Sequence, residues 1–195
     1  MNEVLSIHSA SESSRWRTVD IIVVAILAVA FGVVFWAWNA YVWVWLGFMG
    51  KPWEALVTGM WLMPAVVAPL IVRKPGAALF AEMVAAIVSV ILGSQWGLDT
   101  LLSGFVQGAG AELVFGFVMY RNFNVIVAFI AGAGAGIGEA LHDIPVYYAT
   151  YSGDLQFGIA ALEILSGALI AGVGGWLLVR SLRRTGALQA FRSGE

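Results

Sequence analysis

The chain has 195 residues, of which 61% are hydrophobic and only 11% charged, and its mean hydropathy is +0.88. Soluble domains carry about 25% charged residues, so the composition is that of an integral membrane protein. The net charge of −2 gives no reason to expect a nucleic-acid partner, the lack of cysteine excludes disulfides and thiol chemistry, and two histidines, His8 and His142, are too few for a histidine-built metal centre.

Residues 1–18 are polar and read as a cytoplasmic N-terminal segment. The first apolar run follows at residues 19–38; it is too long for a signal-peptide core and lacks a clear cleavage site, so it is predicted to stay in the membrane as the first span. About 20 apolar residues cross a bilayer. Further spans are predicted at residues 54–72, 76–93, 98–119, 123–141 and 157–179, giving an all-α, six-helix bundle over residues 19–180 with a basic cytoplasmic tail at 181–195. The short connections make neighbouring helices antiparallel.

Nine of the ten basic residues fall on one side of this arrangement: Arg15, Arg17, Arg73, Lys74, Arg121, Arg180, Arg183, Arg184 and Arg192; only Lys51 falls on the other. The positive-inside rule makes the basic side cytoplasmic, with both termini inside. A bacterial cytoplasmic membrane is the expected location. Trp36, Trp38, Trp43, Trp45, Trp53 and Trp96 gather at the outer side, where an interfacial aromatic belt is the ordinary explanation. Residues 39–50 are predicted to form a short interfacial helix or a lid.

Within the spans, small residues mark close helix contacts. The Gly132–Gly138 stretch and the Gly167, Ala171, Gly174 stripe suit internal packing, whereas Ala25, Ala28 and Gly32 of the first span suit a contact with another membrane subunit. Pro64 and Pro69 are expected to kink the second span.

Glu82, Glu112 and Glu163 lie deep in apolar stretches, and no lysine or arginine lies at the same sequence depth. Each would cost about 2.5–3.5 kcal/mol near the bilayer centre if ionised and unpaired. A proton, water or an external cation must offset that cost. Glu82 shares a helical face with Ala86, Ser89 and Gly93, while Gln107 and Glu112, five positions apart, diverge by about 140° around their helix. The two therefore cannot both face one small ligand, and one of them is expected to brace a neighbouring helix. Gln95, Gln107, Glu139 and Glu163, with Asp99, Asp143 and Asp154 in the loops, concentrate acidic and amide groups toward the outer half. Carboxylates beside aromatic faces suit an organic cation. Candidate ligand-binding residues are Trp36, Asn39, Trp61, Glu82, Gln95, Gln107, Glu112, Glu139 and Glu163, with Trp61 and Trp36 ranked ahead of Trp96 as stacking partners. Four other readings stay open. The glutamates are protonated and purely structural; Glu82 and Glu112 relay protons or sodium in a coupled carrier; Ser94 or Ser103 acts with His142 in a membrane hydrolase; or the chain is a structural subunit. An internal repeat, the signature of many coupled carriers, is not visible. No Walker motif is present, so the chain cannot itself bind ATP to drive transport.

The Arg73-Lys74-Pro75-Gly76-Ala77-Ala78 turn with Glu82, the Gly93-Ser94-Gln95-Trp96-Gly97 segment and the run from Gln107 through Glu112 to Phe115 carry a family resemblance. The chain resembles the YkoE family, substrate-capture (S) components of energy-coupling-factor (ECF) vitamin transporters, over essentially its whole length. The resemblance implies a six-helix bundle with a pocket near the extracellular side, and thiamine or hydroxymethylpyrimidine as ligand. It implies no catalysis and no cofactor. Its implied partners are a transmembrane coupling (T) subunit, docked through the small face of span one, and ATPase subunits. Residues 39–50 or 143–154 would close over the ligand.

Overall fold

A computed structural model describes residues 15–186 and 188. Six helical passes follow one another: α1 (Thr18–Met49), α2 (Trp53–Val72), α3 (Ala77–Ile91), α4 (Asp99–Phe117), α5 (Val125–Tyr147) and α6 (Gly153–Arg184). Five are long and apolar enough to cross a membrane, and α3, with 15 residues, is shorter. The His8 and Arg192 positions and most of the basic tail lie outside the described residues.

Local chemistry sets the helix ends. Asp20 accepts the Arg17 backbone N–H at 2.9 Å and pairs with its guanidinium at 3.1 Å, which caps the start of α1. Asn124 Oδ1 accepts the Ile126 and Val127 amides at 3.0 Å at the start of α5. The chain enters and leaves the bundle at one end: Trp16 donates to the Pro75 carbonyl at 2.8 Å, and Arg183 to the Leu70 carbonyl at 2.7 Å. The basic turns at 73–76 and 118–124 share that end, so the charge asymmetry of the sequence is present in the fold.

Several boundaries differ from the sequence expectation. Span one does not stop near Trp38; it runs on through a π-helical stretch (Trp38–Trp43) and short helical turns to Met49, so residues 39–50 continue α1. The aromatic-rich run at 38–46 holds neither Gly nor Pro, which lets the helix propagate to Gly47, where it tightens into a 3₁₀ turn that ends at Gly50. α5 continues to Tyr147, past the expected end at 141 and despite Pro145, and α6 starts at Gly153, so the expected 143–154 lid reduces to a turn at 148–152. α2 is broken rather than kinked: a 3₁₀ half, Trp53–Met60, precedes an α-helical half, Met63–Val72. Pro64 starts the second half, where its missing N–H costs nothing, and Pro69 sits within it.

The centre is close-packed through small residues. A Cβ on Gly110 would lie 2.1 Å from the Gly134 carbonyl oxygen, and one on Gly138 2.2 Å from that of Val106, so α4 and α5 meet backbone to backbone. Gly132 and Gly136 bring α5 against the backbone of α6, where an added Cβ would lie 2.2 Å from the Gly167 oxygen and 2.7 Å from that of Glu163. Around this seam Leu62, Val66, Leu70, Ala111, Phe115, Ala128 and Ala135 form the apolar core. The small face of α1 also packs inside the chain. Ala28 is buried, and a Cβ on Gly32 would lie 2.5 Å from Val88 Cβ on α3. This corrects the expected docking role of that face; Ile22, Ile26, Val29 and Val33 are among the exposed side chains of α1.

Candidate functional site

A cavity of about 230 Å³ opens at the end of the bundle opposite the basic turns. α1 supplies Phe35, Asn39 and Trp43; α2 and its lead-in supply Lys51, Glu54, Thr58 and Trp61; α3 supplies Glu82, Ala86 and Ser89. The opposite wall comes from Trp96 and α4 (Asp99, Ser103, Gln107) and from the end of α5 (Glu139, Asp143, Tyr147), with Tyr148 beyond it.

Glu82 is fully buried and lies where the break in α2 presents bare helix N–H groups. Its Oε2 accepts the Ala65 amide at 3.0 Å. Its Oε1 has no partner, and neither does the Ser89 hydroxyl two turns along the same face of α3. Gln107 crosses from α4 and donates its amide N–H to Ser103 Oγ at 2.7 Å. This part of the cavity therefore offers an acidic acceptor, a hydroxyl and an amide within apolar walls.

Three tryptophans line another part. Trp43 and Trp61 have ring centroids 4.8 Å apart, Trp61 and Trp96 5.4 Å, and Trp43 and Trp96 6.2 Å, all edge to face. Asn39 Oδ1 accepts the Trp61 indole N–H at 2.9 Å and fixes that ring. Such a cluster suits a delocalised or quaternary cation.

The lining holds five carboxylates, Glu54, Glu82, Asp99, Glu139 and Asp143, and one basic residue, Lys51. Lys51 pairs with Glu54, and its ammonium donates to Tyr148 Oη at 2.7 Å. Burial pushes Lys51 below its ordinary range, while Glu163 and Asp143 pull it back. A cation of the chain itself thus reaches the acidic group at the mouth, through an ion pair with Glu54 rather than with Glu82, Glu112 or Glu163. The cause is the turn at 50–52, which carries Lys51 back over the mouth. His142 joins α4 to α5, with its ring nitrogens 2.7 Å from Asp143 and 3.2 Å from Asp99. Tyr147 also bonds to Asp99.

Of the nine candidate residues, Asn39, Trp61, Glu82, Gln107 and Glu139 line this cavity; the others do not. Trp36 turns away and packs edge-on against Tyr41 at 6.1 Å. Gln95 is exposed in the α3–α4 turn. Glu163 is 1% exposed on α6 behind the lining, with Oε2 unpartnered. Glu112 points to the other end, where it accepts the Gly76, Ala78 and Leu79 amides at 2.6, 2.9 and 3.3 Å and the Tyr120 hydroxyl. The 140° divergence separates the pair as the spacing demands, with Gln107 on the cavity and Glu112 capping α3.

Two alternative chemistries lose their geometry. The carboxylates of Glu82 and Glu112 serve different helix starts, so they are not arranged as a relay pair. Both ring nitrogens of His142 are engaged by carboxylates, while Ser94 pairs with Thr100 and Ser103 with Gln107, so neither candidate serine is joined to a base. Reading single residues missed Trp43, Lys51, Glu54, Ser89 and Tyr148 as lining; the lone basic residue on the outer side was the available signal for Lys51.

A family model described as "ABC-type cobalt transport system, permease component" matches residues 19–138. A Bacillus subtilis (strain 168) protein, "Putative HMP/thiamine permease protein YkoE", is 32% identical over 181 residues, covering 92% of this chain and 91% of the relative. A solved structure described as "Crystal structure of an S-component of ECF transporter" superposes with a TM-score of 0.85 at 32% identity, over 90% of each chain. These relatives are transporter subunits rather than enzymes, and the chain is a multi-pass membrane protein that belongs to the YkoE family of ECF transporter S components.

Proposed function

We propose that the cavity captures thiamine or its hydroxymethylpyrimidine part from outside the bacterial cytoplasmic membrane. One observation carries this reading: a buried carboxylate with a free oxygen, Glu82 Oε1, lies in the same cavity as three clustered tryptophans. An aminopyrimidine presents N–H donors beside ring-nitrogen acceptors. Glu82, Ser89 and Gln107 offer the matching acceptors and donors. A thiazolium is a permanent organic cation, suited to the tryptophan faces and the acidic mouth. The B. subtilis relative carries the same ligand class in its name.

The family description names cobalt instead. Among the described residues no group of three or more His, Cys, Asp or Glu side chains is placed to hold a metal ion, which favours an organic cargo. Phosphorylated forms are disfavoured by the five carboxylates of the lining. In this reading the basic end faces the cytoplasm. The chain docks on a transmembrane coupling subunit, and partner ATPases drive release inward. A membrane hosting this chain alone then accumulates no vitamin against a gradient.

The test is a tryptophan-fluorescence titration of purified protein in detergent. Saturable quenching by thiamine or hydroxymethylpyrimidine at nanomolar to micromolar concentration is expected. A flat response to both, on folded protein, refutes the assignment.

A further inference from the structure

Lys51 alone is basic among the described residues that line the cavity. Its ammonium is 4.3 Å from the centroid of the Tyr148 ring and 5.9 Å from that of Trp43. It pairs with Glu54, itself buried, and donates to Tyr148 Oη. An aromatic face, a carboxylate and a hydroxyl around a cation are the features an organic cation would seek there.

We propose that Lys51 is a tethered cation that holds this subsite in the unliganded protein, and that a cationic ligand binds by displacing its ammonium. The proposal rests on the capture reading of the cavity. Two cations cannot share the ring of Tyr148 and the carboxylate of Glu54 without strong repulsion. The lysine side chain is 24% exposed, follows Gly50 at the mouth, and has a route to solvent. A neutral ligand that uses only Glu82, Ser89 and Gln107 leaves Lys51 where it is. Lys51 therefore sets the preference between cationic and neutral ligands: it weakens capture of the former and is indifferent to the latter. Its presence also compensates an acidic mouth that would otherwise hold inorganic cations without selectivity.

The test uses the full-length protein in detergent, titrated with thiamine and with hydroxymethylpyrimidine, in wild-type, Lys51→Met and Lys51→Arg forms. The methionine variant keeps the length of the side chain and removes its charge. It is expected to bind thiamine about five- to ten-fold more tightly, the scale of losing one cation–π competitor, and hydroxymethylpyrimidine unchanged. Lys51→Arg is expected to behave as wild type. Weaker thiamine binding by Lys51→Met, no change, or an equal gain for both ligands overturns the proposal. A second readout needs no variant. The sequence has two lysines, Lys51 and Lys74, so amine acetylation read by mass spectrometry has an internal reference. Saturating thiamine should speed modification of Lys51 relative to Lys74 several-fold, and hydroxymethylpyrimidine should not. Protection or no change again overturns it. If neither ligand binds any of the three proteins, the capture reading fails and Lys51 has nothing to compete with.

Discussion

Replacing Glu112 should separate stability from binding. Its carboxylate accepts three backbone amides at the start of α3, at 2.6, 2.9 and 3.3 Å, as well as the Tyr120 hydroxyl. α3 begins at Gly76 without a capping side chain of its own, so α4 supplies the cap from a distant part of the sequence. Hydrogen bonds to a charged group contribute about 1.5–3 kcal/mol each when well formed. The bonds of one cap are not additive, and water replaces part of them at a half-buried site. Glu112→Ala should therefore cost about 3 kcal/mol. Glu112→Gln should cost about 2 kcal/mol. Whichever way its amide turns, an N–H₂ faces either the Gly76 amide or the Ala78 and Leu79 pair, a donor against donors. The assay is denaturant or thermal unfolding in detergent, followed by ligand titration of the folded fraction. Lower stability with unchanged affinity is expected. A variant as stable as wild type that no longer binds ligand would refute the cap and return Glu112 to the binding site.

Other outcomes follow from the same geometry. Glu82→Gln keeps the contact to Ala65 and replaces the free carboxyl oxygen with an amide N–H₂, and should weaken binding of a cationic ligand about ten-fold with little change in melting; unchanged affinity would remove Glu82 from the site. Gly138→Ala places a methyl 2.2 Å from the Val106 carbonyl and should cost about 3 kcal/mol or more, seen as lost yield or melting temperature. Burial and its bond to Glu112 push the Tyr120 phenol above its ordinary range. Its contribution to stability is then full below about pH 10 and is lost as pH rises through the higher folded value. Tyr120→Phe should flatten that alkaline fall, and an undiminished fall would refute the assignment. Gln95→Ala should leave affinity unchanged, because Gln95 lies outside the cavity.

Hydropathy and the placement of basic residues make the six passes legible, because lipid solvation acts on whole segments. Segment ends are less legible. The Trp38–Met49 run carries Gly47 but no proline, and whether it stays helical depends on neighbours that the local sequence does not name. The acidic character of the cavity is visible in composition, but the facing of each carboxylate is not. Glu82 and Glu112 look alike as buried glutamates, yet each caps a different helix start, and only Glu82 keeps an oxygen for the cavity. Trp36 and Trp43 likewise look alike, but they lie seven positions apart across the π-helical stretch of α1, one against Tyr41 and the other against Trp61 and Trp96. Lys51 is hidden for a different reason: its sequence neighbours give it to a loop, and only the fold returns that loop to the mouth.

The glycine seam narrows the paths by which this scaffold can diversify. Gly110, Gly132, Gly134, Gly136 and Gly138 each face a neighbouring backbone with no room for even a methyl group, so α4, α5 and α6 are held at fixed distances along that seam. A new cargo preference cannot readily arise by shifting those helices. It must come from side chains that project into the cavity from elsewhere, chiefly Asn39, Trp43, Lys51, Trp61 and Ser89 on the first three passes and their connections. Relatives with different cargo should then vary at these positions while retaining the glycines, and a designer seeking a new ligand would begin with the same five.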